Sequence, residues 1–137
     1  MTQDKAVVNE VLEKAKVFIQ QAHDRSPDNS EVVTMEGILY TGYVVMDPAT
    51  FGMTLSPKIM ALHAKAIELD PKNPRAHNNL IDFEIGGAEF FGTELSSFCD
   101  RLKAIVPLYE NQKADFPFAP SYGMQRVEES IKKCGCE

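Results

Sequence analysis

With 137 residues, the chain has the length of one domain, long enough to bury a core without a metal or a disulfide. Its 44% hydrophobic and 25% charged residues are typical of a soluble globular protein, and no apolar run reaches the roughly 18 to 20 residues of a membrane helix. The net charge of −6 argues against nucleic acid and anionic lipid as partners, because both attract clustered Lys and Arg. We therefore expect a single domain that inserts into no membrane.

The N-terminal sequence MTQDKAVVNEVLEK has charges where a secretory signal has an uninterrupted apolar core. We therefore expect no export signal in the chain as written. If a leader has been removed from a longer parent, a periplasmic or secreted protein is the alternative.

Six helices are predicted in chain order, at about residues 4–23, 30–46, 57–69, 74–85, 93–106 and 121–134. The first has apolar residues at helical spacing opposite charged ones, which indicates an amphipathic helix. Ser30 or Asp28 can cap the second helix. Gly37, inside that helix, predicts that a neighbouring helix approaches closely.

The stretch from Ser56 to Leu80 contains two helix starts of the same kind. Ser56 can cap a helix that begins at Pro57, and Asn73 can cap one that begins at Pro74. The residues from Asp70 to Asn73 form the turn between the two helices.

Two Phe-Gly pairs, Phe51-Gly52 and Phe91-Gly92, lie 91 − 51 = 40 residues apart. We expect each phenylalanine to plug the open end of a helical hairpin and each glycine to take the backbone through a tight bend. The fourth helix is expected to weaken at Gly86-Gly87.

The C-terminal part contains a proline-rich connection before a short last helix. Thr93 can cap the fifth helix, and Pro107 should kink or end it. Phe116 and Phe118 are expected to pack on the preceding helices. Ser121 can cap the last helix, which reads as a terminal cap over the array.

Pro27 and Pro71 close two similar turns and lie 71 − 27 = 44 residues apart, which is a repeat spacing. The residues around them resemble the tetratricopeptide repeat, with matches at Ala15, Ile19, Ala22, Gly37, Tyr40, Ala66 and Leu80. Departures from the motif stand at Ile59, His63, Ile81 and Glu84. The spacing from Gly37 to Ala66 also implies an insertion of about ten residues near 47–55.

The whole pattern resembles a group of small tetratricopeptide-like proteins of Bacteroidetes-type bacteria. That group generally lacks an assigned activity and often begins with an export signal. The resemblance implies an all-α, right-handed stack of antiparallel helical hairpins with five to six helices. It also implies that the first helix of each hairpin lines a concave groove for a protein or peptide.

Carrying the motif's groove positions onto this chain gives Glu31, Thr34, Ile38, Thr41, Arg75, Asn78, Asp82 and Ile85. The predicted function is a non-catalytic protein- or peptide-binding scaffold. Two alternatives stay open. One is a small-molecule-binding module near the insertion and the Phe-Gly corners, and the other is a structural domain of a larger assembly that self-associates through its first helix, for example as a homodimer.

Catalysis, a metal site and a cofactor are not predicted. The cysteines Cys99, Cys134 and Cys136 cannot all pair within one chain, and Cys134-Gly135-Cys136 is too short for a zinc site, so we interpret all three as inert thiols. His63 stands at a core position of the repeat and is interpreted as a packing residue.

Overall fold

The computed structural model describes residues 2–113 and 117–137. Within these ranges the chain forms helices and turns, without a β-strand, which confirms the all-α prediction. The helices are α1 (Thr2–Arg25), α2 (Ser30–Met46), α3 (Pro48–Leu69), α4 (Pro74–Phe91), α5 (Cys99–Glu110) and α6 (Met124–Lys133), with a short 3-10 turn at Ser96–Phe98. None of these described helices is long and apolar enough to cross a membrane. The chain divides into two compact units, Met1–Pro71 and Lys72–Glu137.

The first unit contains α1, α2 and α3, and its most extensive packing joins α2 to α3. Its core includes the fully buried side chains of Val33, Ile59 and Ala66. The Tyr43 hydroxyl of α2 donates to the Glu13 carboxylate of α1. Burial and the hydrogen-bonded Glu13 carboxylate together raise the pKa of Tyr43 to about 12.

Gly37 confirms the predicted close approach of two helices. A Cβ at this position would lie 2.5 Å from Cε1 of His63, which projects from α3. His63 is only 1% exposed, as expected of a packing residue. The glycine therefore makes room for the imidazole ring between α2 and α3.

The predicted start of the third helix at Pro57 is wrong, because α3 begins at Pro48 and contains Pro57 in its interior. Asp47 caps this earlier start by accepting hydrogen bonds from the backbone N–H and the hydroxyl of Thr50. The expected insertion is therefore helical. Proline at the first position of α3 loses no needed donor, so Asp47-Pro48 is a helix start and not a break.

The two Phe-Gly pairs do not play the same part. Phe51 lies inside α3 and packs edge-on against Tyr43, with ring centroids 5.6 Å apart, so Gly52 forms no bend. Gly92 does end α4 in the left-handed region, with φ 68°, but Phe91 is 80% exposed and plugs nothing.

The second unit begins at α4, which Asn73 caps as predicted by accepting from the backbone N–H groups of Arg75 and Ala76. α4 does not end at Gly86-Gly87 and continues to Phe91. The two glycines weaken a helix without stopping it, whereas Gly92 supplies the left-handed residue that ends one.

Helix α5 also differs from the prediction. It begins at Cys99, after the 3-10 turn, and it runs through Pro107 to Glu110. Leu102, Ile105 and Tyr109 are buried on both sides of the proline. We attribute the continuation to their burial, which offsets the roughly 3 kcal/mol cost of an interior proline.

Helix α6 begins at Met124, so Ser121 is not its cap. Gly123 precedes it with φ 118°, and a Cβ there would collide with the Tyr109 hydroxyl. Phe118 is fully exposed, which contradicts its predicted packing. Phe116 lies outside the described residues. The apolar core of this unit joins all three helices through Ile81, Ile85, Leu102, Ile105, Tyr109, Val127 and Cys134.

The capping residue of α2 also corrects the sequence prediction. Asn29 caps it by accepting from the backbone N–H groups of Glu31 and Val32. Ser30 instead donates its hydroxyl to the Ala66 carbonyl of α3, at 2.7 Å, and this bond joins the two helices.

Candidate functional site

The two threonines among the predicted site residues of the first unit donate their hydroxyls to backbone carbonyls of their own helix. Thr34 is 1% exposed, and its hydroxyl donates to the Ser30 carbonyl one turn earlier. The Thr41 hydroxyl donates in the same way to the Gly37 carbonyl. Glu31 and Ile38 are half-buried. The two threonines therefore satisfy the backbone of α2 and do not present hydroxyls to a ligand.

In the second unit, Arg75, Asn78, Asp82, Ile85 and Glu89 follow one another at steps of three and four residues along α4. This spacing places them on one helix face, which we call the α4 face. The structure thus brings the four site residues predicted from α4 together, and every one contacts a later part of the chain.

Arg75 begins the α4 face in the first turn of the helix and is 5% exposed. Its Nη1 donates to the backbone carbonyl of Tyr122 at 3.1 Å. The guanidinium carbon also lies 5.4 Å from the centre of the Tyr122 ring, within the range of a cation–π contact. Arg75 therefore binds a polypeptide segment through both its main chain and its aromatic side chain.

Asn78 lies one turn further along and is 1% exposed. Its Oδ1 accepts a hydrogen bond from the Tyr109 hydroxyl at 3.1 Å, while its Nδ2 has no hydrogen-bond partner among the described residues. Burial raises the pKa of Tyr109, and the nearby Arg75 guanidinium opposes part of this rise, so that the resulting pKa is about 12. The phenol thus stays protonated and donates to Asn78 at neutral pH.

Asp82 is the most strongly engaged carboxylate of the face. One of its oxygens accepts from Arg126 Nε at 2.5 Å and the other from the Ser130 hydroxyl at 2.9 Å. Further along α4, Lys133 Nζ donates to Glu89 at 2.8 Å. Both acidic residues of the face are therefore paired with basic residues of α6.

These contacts establish the register of α6 against α4. Arg126 follows Asp82 by 126 − 82 = 44 residues, and Lys133 follows Glu89 by 133 − 89 = 44. A constant offset means that the two helices run side by side in the same direction. The offset also equals the 44-residue distance between Pro27 and Pro71.

A surface groove of about 350 Å³ lies between α4 and α6. Its lining contains the apolar Ile85, the open backbone of Gly86 and the charged pairs just described. A Cβ added at Gly86 would meet none of the described atoms within 4 Å. We call this feature the α4–α6 groove.

The cysteines correct the prediction of three inert thiols. Cys99, the first residue of α5, forms a disulfide with Cys136 in the tail that follows α6. Their Cα atoms lie 5.4 Å apart. Cys134 remains a free, buried thiol whose pKa is raised by burial, so it is a poor nucleophile towards the neighbouring disulfide.

The sequence reasoning missed the partners of the α4 face. Tyr109, Tyr122, Arg126 and Ser130 were not singled out as site residues. The signal that could have found Arg126 is the 44-residue offset, which relates it to Asp82. The Cys99–Cys136 pair lacked a comparable signal, because three cysteines allow three pairings.

The α4 face thus holds later segments of the same chain through paired charges and hydrogen bonds. Within the described ranges, no three His, Cys, Asp or Glu side chains are grouped so that they could hold a metal ion. Comparison of the chain with profiles of known protein families, with curated proteins and with solved structures finds no match.

Proposed function

We propose that the protein is a non-catalytic, tetratricopeptide-like scaffold that binds a protein or peptide through the α4 face. The observation that carries the proposal is that this face already holds a segment of its own chain. Arg75 binds a main-chain carbonyl, and Asp82 binds a guanidinium and a hydroxyl. Charge-assisted hydrogen bonds of this kind are about twice as strong as neutral ones, so they can contribute to the binding of a peptide.

The repeat-like register supports the same proposal. Because α6 follows α4 at the spacing of the Pro27 and Pro71 turns, α6 corresponds to the first helix of a further repeat. A terminal helix in this position covers the end of a helical array. The disulfide favours an oxidising compartment, which supports the periplasmic or secreted alternative.

A substitution in the α4–α6 groove tests this function more cleanly than charge reversal at Arg75 or Asp82, because both of those residues hold the second unit together. Gly86→Lys adds a long side chain to the groove where nothing obstructs its Cβ. Gly87→Lys is the matched control, since its Cβ is equally unobstructed and Gly87 does not line the groove.

The assay is affinity capture from the native organism followed by mass spectrometry, with both variants checked for an unchanged melting curve. We expect a specific partner on the wild type and on Gly87→Lys that is lost on Gly86→Lys. A partner retained equally by all three proteins would show that binding occurs elsewhere on the surface.

Self-association is a second candidate, favoured by the exposed apolar residues of α1. Val7, Val11 and Phe18 lie at helical spacing and are 57%, 58% and 70% exposed. A homodimer through this stripe predicts a concentration-dependent mass in sedimentation that Val11→Asp abolishes. A mass that stays monomeric at every concentration would refute it.

A further inference from the structure

Helix α6 packs mainly on α5 and is joined to the α4 face by side-chain pairs that another helix could reproduce. Its Arg126 and Lys133 pair with Asp82 and Glu89, and three of these four side chains are 41% to 59% exposed. Val127 is the only residue within α6 that is fully buried. The helix that lies on the α4 face thus has two basic residues seven positions apart and an apolar residue directly after the first of them.

Helix α6 has little stability of its own. It contains ten residues, fewer than an isolated helix needs to persist in water. Gly123, which precedes it, provides no side-chain cap. Its position consequently depends on packing against α4 and α5 and on the covalent link that follows it.

That link is the Cys99–Cys136 disulfide, which joins the start of α5 to the tail just after α6. It spans a sequence separation of 37 residues that includes the whole of α6. Such a bond removes most of the conformations in which the tail leaves the core. The disulfide therefore keeps α6 close to the α4 face even when individual contacts open.

We infer that α6 is a built-in occupant of a docking site for a basic amphipathic helix of a partner protein, and that the Cys99–Cys136 disulfide is the latch that holds it there. The inference rests on the proposed function and specifies its partner. The partner helix carries Arg or Lys at two positions seven residues apart, for Asp82 and Glu89, and an apolar residue for the site of Val127.

Opening the latch is a two-electron reduction. A dithiol reductant attacks the disulfide, the S–S bond breaks, and Cys99 and Cys136 each take up a proton and become thiols while the reductant becomes a disulfide. Cys134 takes no part, because its thiol is buried. After reduction, α6 competes with a partner helix only through its noncovalent contacts.

The test uses a fluorescein-labelled peptide of the chain's own residues 119–133 as the partner helix and measures its anisotropy. The proteins are the oxidised wild type, the wild type reduced with dithiothreitol, and Cys99→Ser, which cannot form the latch. The control peptide carries Arg126→Glu and Lys133→Glu. An Ile105→Val protein, which keeps the disulfide but has a less stable core, tests whether lower stability alone increases peptide binding.

We expect the reduced wild type and Cys99→Ser to bind the native peptide at least about tenfold more tightly than the oxidised wild type. The Ile105→Val protein should behave as the oxidised wild type, and the charge-reversed peptide should bind to none of them. Circular dichroism establishes that each protein remains helical.

Several outcomes would overturn the inference. Equal binding of the peptide by the oxidised protein and Cys99→Ser would show that the disulfide is not a latch, although the α4 face would still be a peptide site. The absence of binding in every redox state would remove the docking site, whereas the proposed function would stand if Gly86→Lys still released a captured partner. A doubled mass of Cys99→Ser without peptide would mean that copies of the chain exchange α6.

Discussion

Alanine substitution at Gly37 should destabilise the protein, although alanine is the better helix former. The gain in helix propensity is about 1 kcal/mol. Against it, the new Cβ would lie 2.5, 2.8 and 2.9 Å from three ring atoms of His63. Because His63 is almost fully buried, the ring has little space to move into, and overpacking of this kind costs about 1–3 kcal/mol.

Two other glycines provide a graded comparison. At Gly42, also in α2, a Cβ would lie 2.7 Å from a methyl carbon of Leu12, whose half-buried side chain can rotate away. At Gly86 a Cβ would meet no atom of the part of the chain that the structure describes within 4 Å. Gly86→Ala should therefore stabilise the chain by about 0.5–1 kcal/mol. The stability change of Gly42→Ala should lie between those of Gly37→Ala and Gly86→Ala.

Urea denaturation followed by circular dichroism measures all three variants. A double-mutant cycle of Gly37→Ala with His63→Ala should show a favourable interaction energy of about 1 kcal/mol or more, because removing the ring relieves the collision. If Gly37→Ala proved as stabilising as Gly86→Ala, the imidazole ring would not pack against the glycine, and the described contact of α2 with α3 would be wrong.

Three further predictions concern the second unit. Cys136→Ser should lower the free energy of unfolding by about 3–4 kcal/mol in urea denaturation, which is the loop-entropy value for a separation of 37 residues. Cys134→Ser should lower it far less, because Cys134 is not in the disulfide. Equal losses for the two variants would contradict the Cys99–Cys136 pairing. The raised pKa of Tyr109, about 12, means that its neutral form stabilises the fold fully below pH 10 and that this contribution is lost as the pH rises from about 10 to 12. Tyr109→Phe should accordingly reduce the loss of stability between pH 10 and 12. At neutral pH it should cost about 1–3 kcal/mol, because it leaves Asn78 Oδ1 without its donor. An unchanged loss of stability above pH 10 would show that Tyr109 does not cause it. Asp82→Ala should destabilise the protein by about 1–3 kcal/mol, because it leaves Arg126 and Ser130 without their acceptor. Glu89→Ala should cost only about 0–1 kcal/mol, because its ion pair with Lys133 is exposed. A larger loss for Glu89→Ala than for Asp82→Ala would contradict the described α4 face.

The helix starts show how far local sequence reasoning reached. Asn73 before Pro74 was predicted as a cap and is one, because its side chain needs only the next two backbone N–H groups. Asp47 before Pro48 carries the same kind of signal, but the following Phe51-Gly52 suggested a corner. Phe51 is instead held by its contact with Tyr43, a residue of another helix.

The prolines within helices show where that reasoning failed. Pro57 and Pro107 are strong local breakers, and both lie inside helices. Local chemistry cannot weigh the cost of an interior proline against the burial of residues on either side of it. That burial depends on neighbouring helices.

The amino-acid sequence by itself determined the all-α character and the helix starts at Ser30 and Pro74, because helical periodicity and capping act over a few residues. The buried place of His63 followed from its position in the repeat motif that the sequence resembles. The tertiary structure alone decided what the α4 face touches. Asp82 and Arg126 are 44 residues apart, and Cys99 and Cys136 are 37 apart. Contacts at such separations depend on how the helices pack, and no local preference of the backbone encodes them.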